Sequence, residues 1–105
     1  IVSGGVNVSL DRVEAAGRGI PGFESAVAVP IDDDTWGQGS AVVAPMSAAT
    51  GAGARDADAA LDRVRAVVAV EVGAVARPAR LVFVDEIPAL SSGKPDRARI
   101  RSDLA

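Results

Sequence analysis

Apolar residues along the chain form two kinds of pattern, which are short continuous runs and longer stretches with helical periodicity. Short continuous runs rich in Val and Ala cover residues 25–30 and 40–45, and a third run covers residues 81–84. Runs of this length bounded by turn residues are typical of buried strands. The first two strands are expected to pair antiparallel across a turn at residues 32–37, whose length leaves the register open.

Helical periodicity predicts three helices, over residues 10–20, 56–72 and 96–104. Ser9 and Asp96 stand just before the first and the last helix, where their side chains can cap free N–H groups. The expected apolar stripes are Leu10, Val13, Gly17 and Ile20; Leu61, Val64, Val68 and Val72; and Ile100 and Leu104. Pro21 and Gly22 are expected to end the first helix, and Gly73 the second.

The first eight residues predict a small β-hairpin, because two short apolar runs flank Gly4 and Gly5. Strands interleaved with helices then predict an α+β fold. The expected architecture is an N-terminal hairpin followed by a small mixed sheet of about three strands covered by helices. At 105 residues the chain is expected to form one domain, residues 1–105.

Composition narrows the range of functions. The chain has no Cys and no His, which excludes a Ser-His-Asp triad, Cys-based redox chemistry and a zinc site built on those residues. Apolar runs are too short to span a bilayer, no signal peptide is visible, and a cytoplasmic location is the default expectation. Because the chain begins at Ile1, inside a predicted strand, we expect it to be a piece of a longer protein.

Charge is unevenly distributed, with a net charge of −5 over residues 1–74 and +2 over residues 75–105. The basic C-terminal third could face an anionic ligand. Its field is weak and the chain has only three aromatic residues, so we expect no nucleic-acid surface. The run Asp32 to Asp34 lacks the spacing of a calcium loop and is expected to be a solvated turn, so no metal site is predicted.

Lys94 is the only lysine, and it stands between Gly93 and Pro95 in a polar loop that precedes the last helix. A lysine in this setting is suited to contact phosphate or carboxylate oxygens. Spacing alone favours an ordinary solvated loop lysine. A phosphate-binding P-loop is excluded, because it requires Gly where Pro88 stands and Ser or Thr where Pro95 stands.

Four motifs in order resemble the C-terminal domain of the adenylate-forming enzymes, which include acyl-CoA synthetases. They are a Ser-Gly-Gly-Val-Asn-Val hairpin at residues 3–8, Trp-Gly-Gln at residues 36–38, an Arg-Pro pair at residues 77–78 and the Ser-Gly-Lys segment within residues 88–97. The resemblance covers nearly the whole chain. Within the family, the hairpin and Ser-Gly-Lys-Pro-Asp-Arg motifs are most similar to o-succinylbenzoate–CoA ligases of menaquinone biosynthesis in actinobacteria.

The resemblance implies a chemistry for the full-length protein. Family members join a carboxylic acid to ATP, normally with Mg²⁺, and then pass the acyl group to CoA. The expected partners are therefore CoA, the acid and a large N-terminal domain of the same chain, against which this domain rotates. Lys94 is implied as the catalytic residue, and we expect this piece alone to bind no cofactor tightly and to be inactive.

The resemblance also implies cofactor-binding residues, which are Gly4, Gly5, Trp36, Arg77 and Gly93. The ordinary structural alternatives are a plain turn for Gly4 and Gly5, a core position for Trp36, and a surface arginine for Arg77. Two departures from the family pattern stand at Leu10, where Pro is common, and at residues 75–76, where an aromatic-Lys pair is common. The alternative functions are another acyl-CoA or fatty-acid–CoA ligase, or a non-catalytic α+β binding module with a chance Gly-Lys loop.

Overall fold

The fold is organised around one long strand. The computed structural model describes residues 2–3, 6–33, 37–47 and 57–104. The elements that it defines there, in chain order, are β1 (Val2–Ser3), β2 (Val6–Asn7), α1 (Leu10–Arg18), β3 (Val27–Asp33), β4 (Gly37–Pro45), α2 (Ala57–Glu71), a 3-10 helix (Ala74–Ala76), β5 (Arg80–Val84) and α3 (Arg97–Asp103).

Strand β4 is the central strand of a five-stranded mixed sheet, in which it pairs with β1, β3 and β5. It pairs antiparallel with β3, with Val27 opposite Val43, and parallel with β5. Both β1 and β3 pair with β4 at Gly37, so they lie on opposite edges of β4. Strand β5 therefore lies on the same edge of β4 as β1. The predicted hairpin is confirmed as β1 and β2, and it extends the sheet at the Gly37 end.

Alternation along the strands separates two apolar cores. Val42 and Ala44 face a core with residues of α1 and α2, including Val13 and Val64. Ala41, Val43, Val27 and Val29 face the other core, which is closed by Ile100 of α3. Helices therefore cover both faces of the mixed sheet, as the α+β prediction requires.

The predicted helix signals are largely confirmed. Ser9 accepts a hydrogen bond from the Arg12 N–H at 3.3 Å, and Asp96 accepts one from the Arg99 N–H at 3.1 Å. Of the stripe on α2, Val64 and Val68 are fully buried. Leu61 and Val72 are only partly buried, as is Leu104 after α3.

The first helix ends earlier than predicted. It ends at Arg18, with Gly19 as its C-cap, although Ile20 still reaches the core. Within the described part of the chain, no helix is long and apolar enough to cross a membrane.

Candidate functional site

Lys94 lies in a small hairpin of its own between β5 and α3. Ala89 and Pro95 form an isolated antiparallel bridge. The Leu90 N–H donates to the Lys94 carbonyl at 2.8 Å, and the Asp96 N–H donates to the Pro88 carbonyl at 2.8 Å. The backbone on both sides of Lys94 is therefore held by hydrogen bonds, which a simple mobile loop would lack.

Gly93 makes this tight hairpin possible. Its N–H donates to the Leu90 carbonyl at 2.9 Å, which closes a four-residue turn just before Lys94. Gly93 has φ +89°, a conformation that residues with a Cβ rarely adopt. A Cβ added there would meet no atom within 4 Å, so the requirement for glycine comes from the backbone conformation.

The Lys94 side chain is exposed. Among the residues that the structure describes, none forms a hydrogen bond or an ion pair with its ammonium group. A cation presented on a held backbone, with no carboxylate of its own to neutralise it, is suited to an anionic group brought from outside the domain.

Arg77 lies at a different place. The chain approaches β5 from the Gly37 end of β4, since the Ala79 N–H donates to the Ser40 carbonyl at 2.8 Å. Arg77 is exposed, and its Nε donates to the Ala74 carbonyl at 2.9 Å, at the end of the 3-10 helix. One guanidinium nitrogen thus orients the side chain, and the other two have no hydrogen-bond partner in the part of the chain that the structure describes, so they can bind an anion.

The two candidate regions stand near opposite ends of the sheet. Strand β5 runs parallel to β4 and leaves the sheet beside Pro45, where the segment carrying Lys94 begins. Arg77 and the β1–β2 hairpin lie toward Gly37. The nine residues of β4 span roughly 26 Å at about 3.3 Å per residue. Gly4, Gly5 and Trp36 lie outside the described residues, so their predicted contacts stay predictions.

A third feature was not predicted from the sequence, the ion pair of Glu14 and Arg97. Glu14 on α1 is buried, and its carboxylate accepts two parallel hydrogen bonds from Arg97, Nη1 to Oε1 at 2.7 Å and Nη2 to Oε2 at 3.0 Å. Oε1 also accepts the Ala28 N–H at 2.9 Å. The signal that could have found it is a carboxylate within the apolar stripe of α1, where it needs partners.

This pair lies at the outer edge of the sheet. Ala28 is on β3, which is an edge strand because β4 is its only neighbour among the described strands. Its N–H donates to Glu14, and its carbonyl accepts from Arg97 Nη1 at 3.3 Å. Arg18 adds a bond from Nε to the Ala26 carbonyl at 2.8 Å and lies 3.6 Å from Glu14 Oε2. Side chains thus satisfy the outward N–H and carbonyl of Ala28 and the carbonyl of Ala26 at this edge.

The environment shifts the pKa of both members of the pair. Burial alone would raise the pKa of Glu14, but the hydrogen bonds from Arg97 and Ala28 and the charges of Arg97 and Arg18 outweigh it and lower that pKa. The hydrogen bond with Glu14 raises the pKa of Arg97 further. Both groups are therefore ionised at neutral pH, and the pair is a true salt bridge.

The chain belongs to the family of AMP-binding enzyme C-terminal domains, whose pattern matches residues 12–94. Fatty acid–acyl-carrier-protein ligase MmaC of Mycobacterium marinum is 38% identical over 95% of this chain. Medium/long-chain-fatty-acid–CoA ligase FadD8 of Mycobacterium tuberculosis is 29% identical over 97% of it. The chain spans 18% of the length of each of these relatives.

A solved structure has the same fold. The amide bond synthetase McbA from Marinactinospora thermotolerans superposes with a TM-score of 0.80 and 28% sequence identity. The match covers 99% of this chain and 20% of that chain. The family resemblance drawn from the four sequence motifs is thereby confirmed, and the relatives are adenylate-forming ligases.

Proposed function

We propose that this domain is the mobile C-terminal part of an ATP-dependent acid ligase, working with an N-terminal domain of the same chain. In the first half-reaction a carboxylate oxygen bonds to the α-phosphorus of ATP and pyrophosphate leaves. In the second, a thiol such as that of CoA loses its proton and attacks the acyl carbonyl, and AMP leaves. A cytoplasmic location, where ATP and CoA are available, is part of the proposal.

The observation that carries the proposal is the separation of the two candidate regions. Lys94 belongs to the Pro45 end of β4, and Arg77 and the hairpin belong to the Gly37 end. Because the two regions adjoin opposite ends of β4, a strand of nine residues, an active centre formed at one end would leave the other end unused. A domain that turns between two half-reactions could use each in its turn.

Lys94 is the proposed catalytic residue of the first half-reaction. The acid and the α-phosphate are both anions, so a cation between them stabilises their approach and the charge on the crowded phosphorus. The ammonium of Lys94 is exposed and has no partner among the described residues, as this role requires. Gly93 contributes by permitting the turn that presents Lys94.

The Gly37 end is the proposed surface for the second half-reaction. Arg77 has guanidinium nitrogens available for a phosphate of CoA. Gly4 and Gly5 would let the thin pantetheine arm pass close to the backbone, and Trp36 would lie beside it. These contacts are proposed from the family resemblance.

No step assigned to this domain goes through magnesium. Among the residues that the structure describes, no group of three Asp or Glu could hold a metal ion. The Mg²⁺ expected with ATP is therefore proposed to be held by the nucleotide and by the N-terminal domain.

The acid is proposed to be a fatty acid, because the two relatives named above are fatty acid ligases. The o-succinylbenzoate specificity suggested by the sequence motifs is the second candidate. The relatives also differ in the thiol that accepts the acyl group, which is an acyl carrier protein for one and CoA for the other. Pyrophosphate release with medium-chain and long-chain fatty acids and with o-succinylbenzoate tests the acid directly.

The two-surface proposal is tested with Lys94→Ala and Gly5→Leu in the full-length ligase. Lys94→Ala is expected to slow pyrophosphate exchange by about 10²–10³-fold, the usual effect of losing one preorganised donor, and to spare transfer from a supplied acyl-adenylate. Gly5→Leu is expected to do the reverse, because a branched side chain would obstruct the pantetheine arm. Transfer is measured in a single turnover, with CoA and with an acyl carrier protein.

Ser92→Ala, an exposed position in the same turn as Lys94, is the control variant and should leave both half-reactions unchanged. If both substitutions slowed the same half-reaction equally, the two-surface proposal would be wrong. If Lys94→Ala changed neither, the non-catalytic binding module would be the better interpretation.

A further inference from the structure

We propose that Arg97 is a positioning residue for Lys94, and that Glu14 and the edge of β3 hold it in place for that purpose. The inference rests on the proposed catalytic role of Lys94. It adds a function for an ion pair that joins two residues 83 positions apart in the chain.

Arg97 is joined to Lys94 by a short and fixed path. Only Pro95 and Asp96 separate the two residues. Pro95 is in the bridge with Ala89, and the Asp96 N–H donates to the Pro88 carbonyl at 2.8 Å. Fixing Arg97 therefore fixes the base of the hairpin from which Lys94 projects.

Arg97 is itself held at three acceptor atoms. Its two Nη groups bond both carboxylate oxygens of Glu14, and Nη1 also reaches the Ala28 carbonyl. A planar guanidinium that bridges two oxygens fixes both distance and orientation, which a single contact cannot do. Glu14 is held in turn by the Ala28 N–H, so the anchor is part of the sheet edge.

This anchoring bears on the proposed catalysis through geometry. A cation stabilises the meeting of carboxylate and phosphate only when it stands at the right place, and a displacement of about 1 Å can cost about 10²-fold in rate. The remaining backbone contacts of the Lys94 hairpin lie within the hairpin itself. They set its shape, whereas Arg97, together with Ile100 of α3 in the core, fixes it to the rest of the domain.

The kinetic test compares Arg97→Met with Arg99→Met in the full-length ligase. Arg99 is the matched control, since it lies on the same helix, is 70% exposed at its side chain and reaches Asp103 only at 4.0 Å. Arg97→Met is expected to slow pyrophosphate exchange about 10- to 100-fold. It should leave transfer from a supplied acyl-adenylate within about twofold of the unchanged enzyme. Arg97→Lys, which keeps the charge but cannot bridge both oxygens, should restore part of the loss.

A second background separates positioning from general stability. In a Lys94→Ala enzyme, Arg97→Met should cause no further loss of exchange, because a residue that acts through Lys94 has nothing left to position. The inference would be overturned if Arg97→Met slowed exchange as much in the Lys94→Ala enzyme as in the unchanged enzyme. It would also be overturned if Arg97→Met slowed both half-reactions equally, because either result would show that Arg97 only stabilises the fold.

Hydrogen exchange on the 105-residue chain gives a readout that does not depend on activity. The Leu90 and Asp96 amides, which donate to the Lys94 and Pro88 carbonyls, should exchange faster in Arg97→Met than in Arg99→Met, while β4 amides stay protected. Unchanged exchange at both amides would overturn the anchoring whatever Lys94 does. If these amides exchanged faster in Arg97→Met but Lys94→Ala left the ligase fully active, the anchoring by Arg97 would stand. Only the catalytic role of Lys94 would then be overturned.

Discussion

Replacement of Glu14 by Ala is expected to destabilise the domain by about 2 kcal/mol. The larger part comes from the Ala28 N–H, which loses its acceptor at a residue that is only 2% exposed. A buried donor left without a partner costs about 1–3 kcal/mol. The smaller part comes from Arg97 and Arg18, whose side chains are 47% and 40% exposed, so water takes over most of their interactions. For exposed charges this part is about 0–1 kcal/mol.

The measurement is reversible urea unfolding of the 105-residue chain, followed by circular dichroism. With a slope of about 1–3 kcal/mol per M, the loss should move the midpoint by about 1 M. Glu24→Ala, at an exposed glutamate outside the helices, is the control and should change stability by less than about 0.5 kcal/mol. Glu14→Gln keeps an oxygen for the Ala28 N–H and should lose less than Glu14→Ala.

Two results would refute this reasoning. If Glu14→Ala unfolded at the same urea concentration as Glu24→Ala, the edge of β3 would not depend on the carboxylate. If Glu14→Gln lost as much stability as Glu14→Ala, the loss would come from the charge pair, and the unsatisfied backbone donor would not be its main cause.

Three further predictions concern the pH dependence of stability, two glycines and the activity of the isolated chain. Because the folded chain lowers the pKa of Glu14, its ionised form stabilises the fold above the ordinary pKa of about 4.3, and this contribution is lost as pH falls through the lowered value. Urea midpoints measured from about pH 7 to about pH 3 should therefore fall more steeply for the unchanged chain than for Glu14→Gln, and parallel curves would contradict this. Gly93→Ala should lower the free energy of unfolding by about 1–2 kcal/mol, because Gly93 has φ +89°. Gly17→Ala, inside α1 with open space for a Cβ, should raise it by about 0.5–1 kcal/mol. Equal effects of the two substitutions in urea unfolding would be inconsistent with the backbone argument. The isolated chain should fold without forming an acyl-adenylate from ATP and a fatty acid, and detection of that adenylate would refute its dependence on another domain.

Local patterns predicted the elements well and their arrangement only in part. Short continuous apolar runs identified β3, β4 and β5, and Ser9 and Asp96 identified the starts of two helices. The register of Val27 opposite Val43 could not be predicted, since the length of the intervening turn was compatible with several pairings. The parallel pairing of β5 with β4 depends on contacts between distant segments, and it is this pairing that separates Arg77 from Lys94.

The candidate site was predictable to a different extent. Lys94 and Gly93 were found because a single lysine follows a glycine in a polar loop, and the structure adds the hydrogen bonds that hold them. The partnership of Glu14 and Arg97 joins residues 83 positions apart, which no local period can reveal. A carboxylate on the apolar face of α1 would indicate only that a partner is needed, and the chain offers ten arginines.

The choice of a carboxylate at Glu14 has a physical reason. An apolar residue there would pack against the core but would leave the outward N–H and carbonyl of Ala28 open on an edge strand. A buried ion pair does not by itself imply greater stability than apolar packing. What the pair supplies is a connection, because α1 directly follows the β1–β2 hairpin and Arg97 directly follows the Lys94 hairpin. If the domain presents its two ends in turn, this connection favours rotation of the whole domain, since a separate movement of the Lys94 hairpin would first have to break the bonds to Glu14.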